Sequence, residues 1–134
     1  RRRRPNPSAL AGLLWVLATQ ELTETELLQA TIESMEPQLM SFAPHDLALS
    51  SQALAFVCAA LPEGSQSPLR DRAVLLLVGV TKHVVQALGL FSNQDLAAFL
   101  GALADAGLLA ELFPPGGGEG TPRGALTARL EGAA

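Results

Sequence analysis

The side chains best suited to proton transfer near neutral pH, to thiolate chemistry or to soft metals are His45, His83 and Cys58. The two histidines show no H-E-x-x-H or H-x-H spacing and neither has an evident partner, so a His-built metal site is not indicated. One cysteine excludes an internal disulfide framework and any Cys-rich zinc module. Cys58 falls on an apolar stripe, where a thiol acts as a small hydrophobe. There is no phosphate loop, no G-x-G-x-x-G, no G-x-S-x-G and no nucleophile beside a base. The sequence therefore predicts a chain that is not an enzyme and takes no cofactor, metal or small-molecule substrate.

Basic residues offer the other chemistry, phosphate binding. Arg1, Arg2, Arg3 and Arg4 hold four of the nine basic residues; beyond them thirteen acids face Arg70, Arg72, Lys82, Arg123 and Arg129, a balance of −8. A nucleic-acid binder usually carries a basic stripe over its folded part. Here the body is acidic and the basicity sits in an arm, read either as a solvated tail or as a phosphate contact that releases counterions. The arginine-rich start, with Arg1 in place of Met, fits a processed protein, a piece of a longer one, or the end of an organelle presequence.

The elements that position these residues are helical. A chain of 134 residues, 49% hydrophobic and 16% charged, suits one folded domain. The strongly apolar run Ala73 to Val80 is well short of the about 20 residues a membrane span needs, so the chain is read as soluble with no membrane partner. Asn6-Pro7 opens a helix to about Thr19 with Leu10, Leu13, Leu14 and Leu17 on one stripe. Thr23 with Glu26 forms a capping box for a second helix, which Pro37 kinks. Pro44 opens a third to about Ala60; a loop at 62–68 precedes a fourth from Leu69 to Leu88, with Gly89 as the residue just past its end. Ser92 and Asp95 cap a fifth, reaching Leu109 to Leu112. No segment alternates as a strand. The expectation is all-α, with an arginine-rich arm at 1–5, a helical-repeat domain at 6–113, and a Pro/Gly-rich linker with a short C-terminal helix at 114–134.

The chain also matches itself. Shifted by 49 residues, Leu39–Ala55 falls on Leu88–Ala104 with eight of seventeen positions identical, among them Phe42/Phe91, Asp46/Asp95, Leu47-Ala48/Leu96-Ala97 and Ala53-Leu54-Ala55/Ala102-Leu103-Ala104. Shifted by 37, Leu10-Ala11 and Leu17-Ala18 fall on Leu47-Ala48 and Leu54-Ala55. The twelve extra residues of the longer period lie near Leu61 to Arg72. The unit is thus two helices in about 37 residues. One such pair cannot bury its apolar face alone, so units stack. The expected architecture is a short α-solenoid of stacked helical hairpins, about two and a half repeats long.

The segment ELLQATIESMEPQLMSFAPHDLALSSQALAFV resembles an octotricopeptide repeat unit, the helical hairpin of organellar proteins. Pro37-Gln38-Leu39 matches its Pro-x-Leu, Phe42-Ala43-Pro44 its Phe-Ser-Pro, and Leu47-Ala48 with Ala53-Leu54-Ala55 its Leu-Ala and Trp-Ala-Leu-Ala. The motif tryptophan is Gln52 in this copy and Gly101 in the next, and is kept only as Trp15. The resemblance spans about Ser8 to Leu109; no RAP domain accompanies it. It implies an organellar RNA-associated protein: a mitochondrial ribosome component that contacts rRNA and neighbouring proteins, with a chloroplast setting as the alternative.

Two readings compete: a helical-repeat module of an organellar ribonucleoprotein, and a protein–protein scaffold of the same architecture without RNA contact. Code-like RNA readers use one repeat per base, and two and a half units read two or three bases. An arginine arm on rRNA with helices packed on neighbouring proteins fits that length better. Candidate RNA contacts are Arg1 to Arg4, Arg70 and Arg72 at the loop-to-helix insertion, and Lys82 and His83 midway along the fourth helix. Solvated charge, or for His83 a satisfied half-buried ring, is the plainer account of the last four. Trp15 reads as core filler, and Gln52 and Gln86 are weak base-reading candidates.

Overall fold

Helix α1 (Pro7–Ala18) starts where its sequence says it should: the Asn6 side chain accepts the Ala9 N–H at 2.7 Å, and Pro7 supplies a first-turn φ without wasting a donor. The computed structural model describes residues 6–20, 25–61, 67–116, 118 and 120–132, and every regular element among them is helical. Helix α2 spans Thr25–Met35; its expected cap, Thr23, lies outside the described residues, as does most of the loop after Leu61. Pro37 acts as expected. The α-helix stops at Met35 and Glu36–Ser41 continue as a 3-10 segment, with Gln38 displaced to φ −125°, ψ 25°. Helix α3 (Pro44–Ala60) and α4 (Pro68–Gln86) again carry proline in the first turn. In α5 (Asn93–Ala106) the Ser92 hydroxyl accepts the Asp95 N–H at 3.0 Å.

Two helix ends differ from the sequence expectation. Helix α4 ends at Gln86, and Gly89 does not cap it in a left-handed conformation. Instead Leu88–Leu90 form a 3-10 turn in which the Leu90 and Phe91 N–H groups bond to the Ala87 and Leu88 carbonyls, while Leu88 and Phe91 enter the core. Helix α5 does not run on to Leu112. Gly107, at φ 78°, ends it, with Leu108 N–H on the Leu103 carbonyl and Gly107 N–H on that of Ala104. A single turn, α6 (Leu109–Leu112), follows.

Helix α3 is the central element, packing most extensively on α5 and then on α1 and α4; α2 packs on α1 and α4. Leu28, Ile32, Met35, Leu54, Leu77, Phe99 and Leu103 are fully enclosed between them. The hydroxyls of Thr31, Ser51 and Thr81 are buried with them, each donating to the carbonyl four residues back at 2.8 Å. Gly79 lets the 3-10 segment approach α4, since a β-carbon there would meet Leu39 Cδ1 at 3.2 Å. Several self-matching positions occupy matching environments. Phe42 and Phe91 both follow a 3-10 segment and are buried, and so are the pairs Leu47/Leu96 and Leu54/Leu103.

Beyond the Pro/Gly stretch, α7 (Pro122–Leu130) lies against α4 and the Leu88–Leu90 turn. Two arginines tie it down. Arg123 donates to the Phe113 carbonyl at 2.7 Å and the Pro114 carbonyl at 3.0 Å; Arg129 donates to the Phe91 carbonyl at 2.7 Å, the Leu88 carbonyl at 3.3 Å and Asn93 Oδ1 at 2.9 Å.

Candidate functional site

Trp15, Gln52 and Gly101, which align at the 37- and 49-residue shifts, come together on the wall of one open groove of about 500 Å³ formed by α1, α3 and α5. The groove has a direct cause in the sequence. Where α1 carries an indole, α3 carries a shorter amide and α5 no side chain at all, and a β-carbon on Gly101 would meet nothing within 4 Å. Phe56, 49% exposed, stands over it and meets Trp15 edge to face, with ring centroids 5.5 Å apart and planes at 79°. The remaining wall is alanine, from Ala55, Ala59, Ala97, Ala98 and Ala102, with Asp105 the sole charge among the described residues. Trp15 is thus half-buried at a rim, in contact with the core on one side and open on the other.

The basic residues singled out from the sequence are dispersed. Arg1 to Arg4 lie outside the described residues. Arg70 and Arg72 stand in the first turns of α4, and Lys82 comes about 18 Å further along that helix at 1.5 Å per residue. No single phosphate track joins them. Arg72 is held by acids remote in sequence: Nη2 meets Glu33 Oε2 at 3.3 Å and Nη1 meets Glu36 Oε1 at 3.2 Å, which fastens α4 to α2 and its 3-10 extension. Arg70 is half-buried, its Nε without a hydrogen-bond partner among the described residues. Lys82 is exposed beside a second groove of about 440 Å³, which Val78, Val85, Glu111 and Leu112 also line. His83 is half-buried and its Nδ1 has no partner among the described residues. Gln86 lies on the wall of the Lys82 groove.

His45, in contrast to the expectation of no partner, has one. Its Nδ1 lies 3.3 Å from Asp95 Oδ1, bridging the first turns of α3 and α5. The ring is largely exposed, and Asp95 also sits at the positive end of α5, so this contact joins two helix starts. Cys58 is buried; burial pushes its thiol pKa up, and the nearby Arg70 charge opposes that only in part. Such a thiol is a poor nucleophile. Among the described residues no group of three or more His, Cys, Asp or Glu side chains is placed to hold a metal, and no helix is long and apolar enough to cross a membrane.

No family model, curated protein or solved structure matches the chain. The geometry itself must therefore carry the functional reading. An alanine- and aromatic-walled groove with one carboxylate at its edge shows no cationic side chain among the described residues to grip a phosphate, and offers close approach and dispersion contact to an apolar side chain. Sequence reasoning missed Phe56, Ala98 and Asp105 as its walls. The available signal was the decreasing size of the residue through the aligned positions Trp15, Gln52 and Gly101.

Proposed function

We propose that this chain is a non-enzymatic helical-repeat module that docks into a larger assembly through protein contacts, its helices forming a short α-solenoid. The observation that carries the reading is the fate of the body's cations. Arg72 is paired with two glutamates, Arg123 and Arg129 are spent on backbone carbonyls, and Arg70 is half-buried. Only Lys82 projects freely, next to Glu111. A surface so depleted of available positive charge does not follow an RNA backbone. The groove of α1, α3 and α5 takes an aromatic or aliphatic side chain of a protein partner, with a basic group beside Asp105.

The family resemblance supplies the setting: an organellar ribonucleoprotein, most concretely a mitochondrial ribosome. A second reading, direct rRNA contact, is favoured by the four consecutive arginines at the start of the sequence. Association of the full chain with particles from organelle extracts, with and without ribonuclease, tests the first reading. Gly101→Trp, which closes the groove at a position where the repeat accepts tryptophan, should abolish association, and ribonuclease should not. Release by ribonuclease together with normal binding of Gly101→Trp would overturn it.

A further inference from the structure

Burial along the three self-matching helices follows whether a neighbour is present. Ala11, Leu14 and Ala18 of α1 are buried; their equivalents in α3, Ala48, Ser51 and Ala55, are buried as well. In α5 the same positions are Ala97 and Ala104, both exposed, and Leu100, half-buried. The converse holds on another face. Ser50 and Ala53 of α3 and Phe99 and Ala102 of α5 are buried, whereas their equivalents in α1 are Leu13, 41% exposed, and Val16, 53% exposed. At 100° per residue these two sets point about 160° apart, so they are opposite sides of one helix. Within the chain, the first set is closed wherever a later helix of the series follows (α3 on α1, α5 on α3), and the second wherever an earlier one precedes.

From this we infer that two copies of the chain associate head to tail, the Ala97–Leu100–Ala104 face of α5 in one copy seating on the Leu13–Val16 face of α1 in the next. The proposal rests on the helical-repeat reading and extends it to a stated partner, a second copy. The occupant follows from continuity with the packing already inside the molecule: the contact repeats α1 on α3 and α3 on α5, with the Ala-x6-Ala strip present in all three helices. The chemistry agrees. Helix α1 has no charged residue, and the α5 strip is alanine and leucine, so joining them desolvates no charge. Alanines allow the close helix approach that the interior contacts use. Because the two faces are different surfaces, the contact is heterologous and leaves a free face at each end, so it propagates beyond the dimer.

Sedimentation of the full chain over a concentration series tests this directly. The wild type should show a weight-average mass that climbs with concentration through successive multiples of 14.0 kDa. Val16→Glu and Ala104→Glu, both exposed sites replaced by a good helix former, should each be monomeric alone. Mixed, they should form a one-to-one dimer and nothing larger, since only one intact face of each kind remains. A wild type that stays monomeric to millimolar concentration would overturn the proposal, as would self-association of either variant alone or failure of the mixture to pair. Circular dichroism checks the fold of both variants, and Leu13→Lys with Leu100→Lys repeats the mixing experiment at neighbouring positions. Ala97 borders the groove as well, but Leu13, Val16, Leu100 and Ala104 lie outside its lining, so the variants leave the groove residues in place and either reading can fail alone.

Discussion

Replacing Leu54 by alanine deletes three carbons from a side chain with no exposure, in the helix that packs on α1, α4 and α5 at once. At about 0.8 kcal/mol per buried CH₂ the transfer loss is about 2.4 kcal/mol. A cavity contribution adds to it wherever the surroundings cannot collapse, and leucine-to-alanine changes in cores cost about 2–5 kcal/mol altogether. Leu103 is its repeat equivalent and equally buried, yet α5 packs chiefly on α3 and the single turn α6. Fewer fixed neighbours allow more relaxation, so Leu103→Ala should fall in the lower half of that range and Leu54→Ala in the upper half. Leu13→Ala, at a 41% exposed site, should cost under about 1 kcal/mol. Urea denaturation of each variant gives these differences, followed by circular dichroism and by the fluorescence of Trp15, the only tryptophan, whose edge contact with Phe56 reports the α1–α3 junction. A Leu54→Ala loss below about 1 kcal/mol, or one equal to that of Leu13→Ala, would refute the placement of α3 at the centre.

Arg72→Ala should lower stability by about 0.5–1 kcal/mol, discounted for its 40% exposed side chain, with the difference shrinking in high salt; melting curves across a salt series check both. Gly107→Ala forces a β-carbon into a left-handed backbone and should cost about 1 kcal/mol by thermal melting, while Gly89→Ala, with an ordinary φ and open space around it, should be neutral or slightly stabilising. The Cys58 thiol has a folded pKa above its unfolded value, so its contribution is complete below the unfolded pKa and is lost as pH rises past it. Urea midpoints should therefore fall more steeply above about pH 8.5 in the wild type than in Cys58→Ala, and thiol reagents should label the native protein only through opening. Deleting Arg1 to Arg4 should reduce the slope of log affinity for rRNA-containing particles against log salt by about 3–4, from 0.7–0.9 per phosphate contact; equal slopes would leave protein docking as the whole interaction.

The elements were legible where the signal is local. Asn6-Pro7, Pro44 and the Ser92/Asp95 pair set helix starts through hydrogen bonds and φ restrictions within four residues, and the structure starts its helices there. The two misplaced helix ends were settled by packing. Gly89 has the composition of a cap, but bringing Leu88 and Phe91 into the core tightens that turn to 3-10 and removes the need for a left-handed residue. At Gly107 the reverse holds. The apolar pattern runs on unbroken through Leu109, while the pair of bonds to Leu103 and Ala104 lets the chain turn so that Leu108 and Phe113 are buried from another direction.

The availability of the arginines was not legible, because their partners are remote in sequence. Glu36 lies 36 residues from Arg72, and the carbonyls of Phe91 and Leu88 lie 38 and 41 residues from Arg129. Charge patterning along the chain sees each arginine among its own neighbours and counts it as free. Once folded, these guanidinium groups serve as multi-donor clasps, a task that suits a planar fork of fixed geometry better than a lysine ammonium. That difference separates the basic residues. The lysine of the body remains exposed, three of its arginines hold the helices together, and Arg70 is half-buried. Replacing Arg123 or Arg129 should therefore appear first as loosening of α7, and any effect on a partner should follow from that loosening.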